Sequence, residues 1–303
     1  MKKDFLRLRD FSSKEIDLIL TRSLELKSGK DKNKCPLIGR SIGLIFEKAS
    51  TRTRVSFEVG IYQLGALAIY MNPSEIQLGR GETIHDTARV LSRYLDAVII
   101  RTFNHGSLID FAESSSIPVI NGLSDLHHPC QALADLMTIL ERKGRLKDIR
   151  LAYVGDGNNV AHSLIEAASK MEIHLTIACP EGYEPDAKIF KDAKTVAKSK
   201  IKVVRDVKEA AESADVLYTD VWISMGQERE AKEKKKKFRG YQLNSKILSC
   251  AKKDAIVLHC LPARRGEEIT DDVIDGPQSA VLDQAENRLH TQKALLEFLL
   301  VSK

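Results

Sequence analysis

Short apolar runs alternate along this chain with longer stretches whose apolar residues recur at helical spacing. Ser41-Ile42-Gly43-Leu44-Ile45-Phe46 reads as a buried strand, and so do residues 66–71, 97–100 and 118–120. Helical patterns lie between them, at 83–95 and 131–142, and Gly144 marks a stop after the second. The rhythm restarts at Arg150, with strands expected at 151–154, 173–178, 201–204, 216–219 and 255–258 and helices at 160–170 and 206–213. Such alternation predicts an α/β fold in which parallel sheets are covered by helices on both faces. Two series of strands predict two domains, residues 1–146 and 147–303, with the seam at 143–148. A last helical pattern, 287–300, is expected to pack back toward the first domain. In open parallel sheets ligands bind beyond the carboxyl ends of the strands, so the loops after the strands should carry the chemistry.

Composition narrows the classes. The 303 residues are 43% hydrophobic and 29% charged, a soluble profile, and a chain this long can bury a core without cross-links. Cys35, Cys130, Cys179, Cys250 and Cys260 are an odd number with no Cys-x-x-Cys pair, which argues against a disulfide framework or a zinc site and for a reducing compartment. Met1-Lys2-Lys3-Asp4-Phe5 opens a charged stretch with no apolar signal core, and no window is apolar enough for a membrane span. The expected location is the cytoplasm. The net charge is +5, and residues 228–239, with seven basic and three acidic side chains, account for +4 of it. A charge so concentrated excludes a broad nucleic-acid surface. Lys234 to Lys237 read as a solvated, mobile loop.

The densest chemistry follows the first strand. Glu47-Lys48-Ala49 leads into Ser50-Thr51-Arg52-Thr53-Arg54 and then an amphipathic helix with Val55, Phe57, Val59 and Leu64 as its apolar positions. Ser and Thr are good N-caps, free amides at a helix N-terminus bind anions, and a guanidinium fork matches phosphate oxygens. This predicts a phosphate site built from Ser50, Thr51, Arg52 and Thr53, with Arg54 as a second guanidinium. Arg101-Thr102-Phe103-Asn104-His105 and His128-Pro129-Cys130-Gln131 follow later strands of the same series. Arg101, His128 and the hydroxyl of Thr53 are the donors that a carbonyl turning tetrahedral needs at its oxygen. His127 reads as structural. In the second series, Gly155-Asp156-Gly157 could suggest a dinucleotide turn, but Val160 breaks the Gly-x-Gly-x-x-Gly fingerprint.

These segments resemble the aspartate and ornithine carbamoyltransferases along nearly the whole chain. The resemblance implies that carbamoyl phosphate is held by Ser50, Thr51, Arg52, Thr53, Arg101, His128, Pro129, Cys130, Gln131, Cys260, Leu261 and Arg288. It also implies that Gln77 completes the site of a neighbouring subunit, hence a homotrimer with shared sites. Arg101, His128, Gln131 and Cys260 would be the catalytic set.

Three segments resemble the ornithine branch: Gly155-Asp156-Gly157-Asn158-Asn159-Val160, Asp220-Val221-Trp222-Ile223-Ser224-Met225-Gly226 and His259-Cys260-Leu261-Pro262. The aspartate enzymes have His-Pro-Leu-Pro in place of the last. Asn159, Asp220, Ser224 and Met225 would then take the amino-acid end of ornithine, and Cys260 with the Leu261 carbonyl would orient its distal amine. The implied reaction gives citrulline and phosphate, within arginine metabolism, by direct attack of a neutral amine after carbamoyl phosphate binds first. Neither a metal nor an organic cofactor is expected, nor a nucleic-acid or membrane partner. Domain closure on ornithine and a lid at 226–240 complete the expectation. Putrescine, N-acetylornithine and aspartate are the rival acceptors. As a bare residue, Cys260 also reads as a buried small hydrophobe or a covalent nucleophile.

Overall fold

The computed structural model describes residues 2–31, 34–74, 76, 81–223 and 231–301. The chain divides into two compact units, Met1–Met137 with Glu286–Lys303, and Thr138–Ala285. The division falls inside two helices, so each unit holds part of both.

In the first unit, α1 (Ser13–Lys27) precedes β1 (Ser41–Phe46), α2 (Thr51–Gln63), β2 (Leu67–Met71), α3 (Ile84–Leu91), β3 (Ala97–Arg101), α4 (His105–Ser114), β4 (Val119–Leu123) and the start of α5 (Pro129–Lys143). The sheet runs β2-β1-β3-β4, all parallel. Ile45, Val98, Ile100, Leu108, Phe111 and Val119 pack into one apolar cluster between β-strands and helices. Helix α1 escaped the periodicity reading, yet Ser12 and Glu15 form a reciprocal capping box at its start. The expected helix 83–95 stops early: α3 ends at Leu91, where the Ser92 hydroxyl donates back to the Ala88 carbonyl at 2.6 Å. Arg101 proves to be the last residue of β3. Its register against β4 slips by one residue at Gly122, where an added Cβ would meet the Ile100 carbonyl at 3.3 Å and the Thr53 methyl at 3.6 Å.

The second unit contains the end of α5, then β5 (Arg150–Val154), α6 (Asn159–Met171), β6 (His174–Ala178), α7 (Ala187–Val196), β7 (Ile201–Val204), α8 (Val207–Ala211), β8 (Val216–Thr219), α9 (Ala231–Lys237), α10 (Ser245–Leu248), β9 (Ile256–His259), α11 (Asp271–Ile274) and the start of α12 (Val281–Leu300). Its parallel sheet runs β7-β6-β5-β8-β9. Both sheets therefore follow the strand alternation read from the pattern.

Helix α12 begins six residues before the expected 287. Its part from Glu286 onward belongs to the first unit, as the pattern anticipated. There Glu297 pairs with Arg22 of α1 at 2.5 Å, and Lys293 donates to Gln63 of α2 at 2.8 Å. No helix among the described residues is long and apolar enough to cross a membrane.

Lys234 to Lys237 form the last turn of α9 and not a loop; Lys235 to Lys237 are exposed as expected, but Lys234 is only 3% exposed. Its ammonium lies near the Tyr183 and Phe238 rings and meets a buried carboxylate, which lets a lysine be interior. Within the expected lid at 226–240, residues 231–237 are helical. Residues 226–230 lie outside the described residues.

Candidate active site

In the first unit the chemistry gathers where β1, β3 and α5 meet. Ser50 is the N-cap of α2, its hydroxyl accepting the Thr53 amide at 3.1 Å, and no acidic residue occupies the first turn. The N-terminal end of the helix is thus left positive. The buried Thr53 hydroxyl receives two guanidiniums, Arg101 Nη1 at 3.4 Å and Arg288 Nη2 at 3.1 Å. Arg288 also donates to Gln131 Oε1 at 2.7 Å, and Gln131 Nε2 donates to Asp135 at 2.8 Å. Arg288 is thus buried at the site and is not a surface cation of its helix.

His128 is buried beside this group. Burial holds its imidazole well below its ordinary pKa, and the charges of Arg288, Arg101 and Arg52 push the same way. Desolvation and three nearby positive charges thus both favour the neutral ring. Of the two guanidiniums expected after Ser50, only that of Arg52 is felt at His128. Arg54 instead pairs with Glu58 one turn along α2 at 2.9 Å and stacks 3.6 Å from the Tyr70 ring centroid. Helical spacing explains this, since an i,i+4 acid draws the arginine along the helix surface.

Cys130 is inert: burial raises its thiol to about 12, and Sγ donates to the Asn121 carbonyl. Pro129 opens α5, where a missing N–H costs nothing. His127 stacks edge-on against His105, centroids 4.9 Å apart, consistent with a structural part. Sequence reading missed a brace across the strand ends. Glu47 accepts the Thr102 hydroxyl at 2.5 Å and the Phe103 amide at 3.0 Å. Lys48, nearly buried, pairs with Asp125 and lies 4.2 Å from the Phe103 ring centroid. A charge of each sign just before the helix cap was the available signal.

The second unit gathers the opposite charge. Asp220, just after β8, is 6% exposed. Its Oδ1 accepts the Val221 amide at 2.8 Å and the Cys260 thiol at 3.0 Å, and its Oδ2 accepts Asn158 Nδ2 at 2.8 Å. Asn158, which holds Asp220, also caps α6, and the expected ornithine contact Asn159 is the first residue of that helix. Gly157 is required by packing: a Cβ there would lie 2.2 Å from the Pro185 nitrogen.

After β9, Cys260 and Leu261 are held by a fully buried pair. His259 Nε2 lies 3.0 Å from Glu268, and its Nδ1 accepts the Leu261 amide at 2.9 Å. Asp220, His259 and Cys260 offer ligand atoms within 4.8 Å of one another. Both histidine nitrogens are already engaged, so the trio as arranged is an orienting network rather than an open metal site. Gln77, Ser224 and Met225 lie outside the described residues.

A family model described as the carbamoyl-P binding domain of aspartate/ornithine carbamoyltransferase matches residues 3–141, and its partner, the Asp/Orn binding domain, matches 147–299. The chain belongs to the aspartate/ornithine carbamoyltransferase family. Within that family it is 53% identical over 302 residues to the ornithine carbamoyltransferase of Syntrophus aciditrophicus, covering 99% of this chain and 100% of the relative. It is 52% identical to that of Thermococcus kodakarensis, covering 98% and 96%. The solved ornithine carbamoyltransferase of Pyrococcus furiosus superposes with a TM-score of 0.95 at 50% identity, covering 100% of this chain and 98% of that one. The anabolic enzyme of Campylobacter jejuni gives 0.93 at 40% identity, covering 99% and 100%. In carbamoyltransferase terms, Arg52, Arg101 and residues 128–131 fall in the stretch matched as the carbamoyl-P binding domain, while Arg288 and the Asp220–Cys260 cluster fall in the stretch matched as the Asp/Orn binding domain.

Proposed function

We propose that this chain is an ornithine carbamoyltransferase, moving the carbamoyl group of carbamoyl phosphate to the side-chain amine of L-ornithine to give L-citrulline and phosphate. The observation that carries this reading is the Asp220 carboxylate held by Asn158, the Val221 amide and the Cys260 thiol at the ends of β8 and β9. It suits a cationic amino-acid acceptor; aspartate, with a second carboxylate, would call for added cations there. The full-length relatives named ornithine carbamoyltransferase support the same choice.

In the proposed reaction Ser50, Thr51, Arg52, Thr53, Arg101 and Arg288 bind the phosphate end, and residues 128–131 frame the carbamoyl group. Arg101, Thr53 and neutral His128 donate to the carbonyl oxygen as the amine attacks. The C–O bond to phosphate breaks, and phosphate leaves with the proton released by the new C–N bond. Gln131 acts through Arg288, which it orients. Asp220, Asn159, Ser224 and Met225 take the amino-acid end, and Cys260 with Leu261 orients the distal amine. No cofactor enters the scheme.

A homotrimer with Gln77 contributed to a neighbouring site is part of the proposal. Its support is an apolar face lacking cover in one chain: Val55, Val59 and Tyr62 on α2 are 50%, 37% and 80% exposed, and Leu67 and Ile69 on edge strand β2 are 59% and 37% exposed. Sequence reading had counted Val55 and Val59 among the apolar positions of an amphipathic helix. Domains at 1–146 and 147–303, a cytoplasmic location and a biosynthetic role in arginine formation complete the proposal.

The test is a product assay with carbamoyl phosphate and each of ornithine, putrescine, N-acetylornithine and aspartate. Citrulline as the main product is expected. Faster carbamoylation of another amine would overturn the acceptor assignment.

A further inference from the structure

The acceptor cluster is held by a chain of contacts that begins at a residue the mechanism does not use. Lys234 Nζ lies 2.5 Å from Asp156 Oδ2, with side chains only 3% and 10% exposed. The ammonium is also 5.3 Å and 5.8 Å from the ring centroids of Tyr183 and Phe238. Phe238 is fully buried and packs with Trp222 and Ile223, the residues that follow Asp220 and Val221. Asp156 sits in a turn fixed on every side. Its carbonyl accepts the Tyr153 hydroxyl at 2.9 Å and the Asn158 amide at 2.7 Å, and the Gly157 amide donates to the Tyr183 carbonyl at 2.9 Å. Asn158 then fixes Asp220, and Asp220 fixes Cys260.

We infer that Lys234 is a positioning residue for the acceptor: by neutralising Asp156 it keeps the Asp156–Asn158 turn in the geometry that aims Asp220. Two buried carboxylates in one cluster repel each other and resist desolvation. Burial lifts the Asp156 carboxyl above the ordinary carboxylate range, Lys234 pulls it back, and the charge of Asp220 lifts it further. Without the ammonium, Asp156 would either take up a proton or swing toward solvent, and the turn carrying Asn158 would follow. A loose surface lysine would have no such effect, which is why the burial of Lys234 decides the matter.

This inference rests on the proposed acceptor site, so the parent chain is first assayed for citrulline. An inactive parent, or one preferring another amine, counts against that reading, and the comparison below is then run with L-norvaline binding (ornithine without its distal amine) or with the preferred amine. Lys234→Met keeps the stem and removes the charge. It should raise the ornithine KM about tenfold or more, leaving carbamoyl-phosphate affinity within about twofold, because one buried partner has lost its compensation. The double variant Lys234→Met/Asp156→Asn should return the ornithine KM to within about threefold of the parent, since a neutralised buried pair can be nearly as stable as the ion pair. If the single variant does not fold, a folded double variant with near-parent KM gives the same support. An unchanged ornithine KM in the single variant, equal loss of both ligands, or a double variant that stays impaired overturns the inference.

Discussion

The two units use one construction to opposite electrostatic ends. Each is built on a parallel sheet, and apart from Arg288 on α12 the side chains in question lie at or just beyond the carboxyl ends of its strands. In the first, the charges of Arg52, Arg101 and Arg288 converge on His128, and two of these guanidiniums share the Thr53 hydroxyl. In the second, one carboxylate, Asp220, is surrounded by donors from three separate strand ends. Topology supplies the location and the loop residues supply the sign. A family of enzymes can therefore keep an anion site fixed while changing the acceptor through a few residues after β8 and β9. The comparison also explains why the two histidine-bearing loops differ. His128 is kept neutral among cations, whereas His259 is tied by both nitrogens and acts on the backbone of its own loop.

The sharpest way to break this contrast is to remove a cation from the first unit. Arg101→Ala should lower kcat/KM by roughly 10²–10³-fold, the usual consequence of losing a preorganised donor to a reacting carbonyl or phosphoryl oxygen. Carbamoyl-phosphate titration of the folded variant should show the weakening, and L-norvaline binding measured at saturating carbamoyl phosphate should not. Asp220→Asn tests the other half. It keeps the shape and removes the charge, so ornithine handling should fall by roughly 10–10²-fold with carbamoyl-phosphate affinity retained. Loss of both ligands in either variant would mean that the two charge centres are not separable.

Cys260→Ser is expected to be milder, under about tenfold in kcat, because a hydroxyl can still donate to Asp220 as the thiol does. Mass spectrometry of the parent with carbamoyl phosphate alone should detect no adduct on Cys260. A stoichiometric carbamoyl-cysteine that ornithine discharges would replace direct transfer with a covalent route.

The smallest effect concerns stability rather than rate. Burial first, then the charge of Arg7, holds His105 down to about 4 in the folded chain, with Asp10 opposing. The unfolded chain, near the ordinary 6.5, binds the proton first as pH falls. Stability is therefore complete above about pH 6.5 and declines as pH drops toward 4. His128 adds in the same direction. His105→Gln should make that acid slope shallower in urea melts without changing stability's pH dependence above neutrality. An unchanged slope would show that His105 is not a contributor.

Much of the site was legible because its residues come in runs. Ser50 to Thr53, His128 to Gln131 and His259 to Leu261 each announce themselves as compact polar segments after apolar strands. Arg288 and Lys234 did not. Both sit on helices among other charged residues, and only burial distinguishes a site arginine or a buried lysine from a surface cation. Asn158 was not singled out for a different reason: which of two adjacent asparagines caps a helix depends on where the helix begins.

The sequence by itself determined the alternating α/β pattern, the loops that carry the chemistry and the sign of charge each loop would bring. Those follow from local rules, namely hydrophobic period, capping chemistry and ionisable groups, all of which act within a few residues. Tertiary structure alone decided that Arg288 shares the Thr53 hydroxyl with Arg101 and that Lys234 closes on Asp156. Each depends on which side chains meet at a distance along the chain, and on how much water is excluded where they meet. Burial sets the strength of those charges, and burial is a property of the packed chain, not of any one segment.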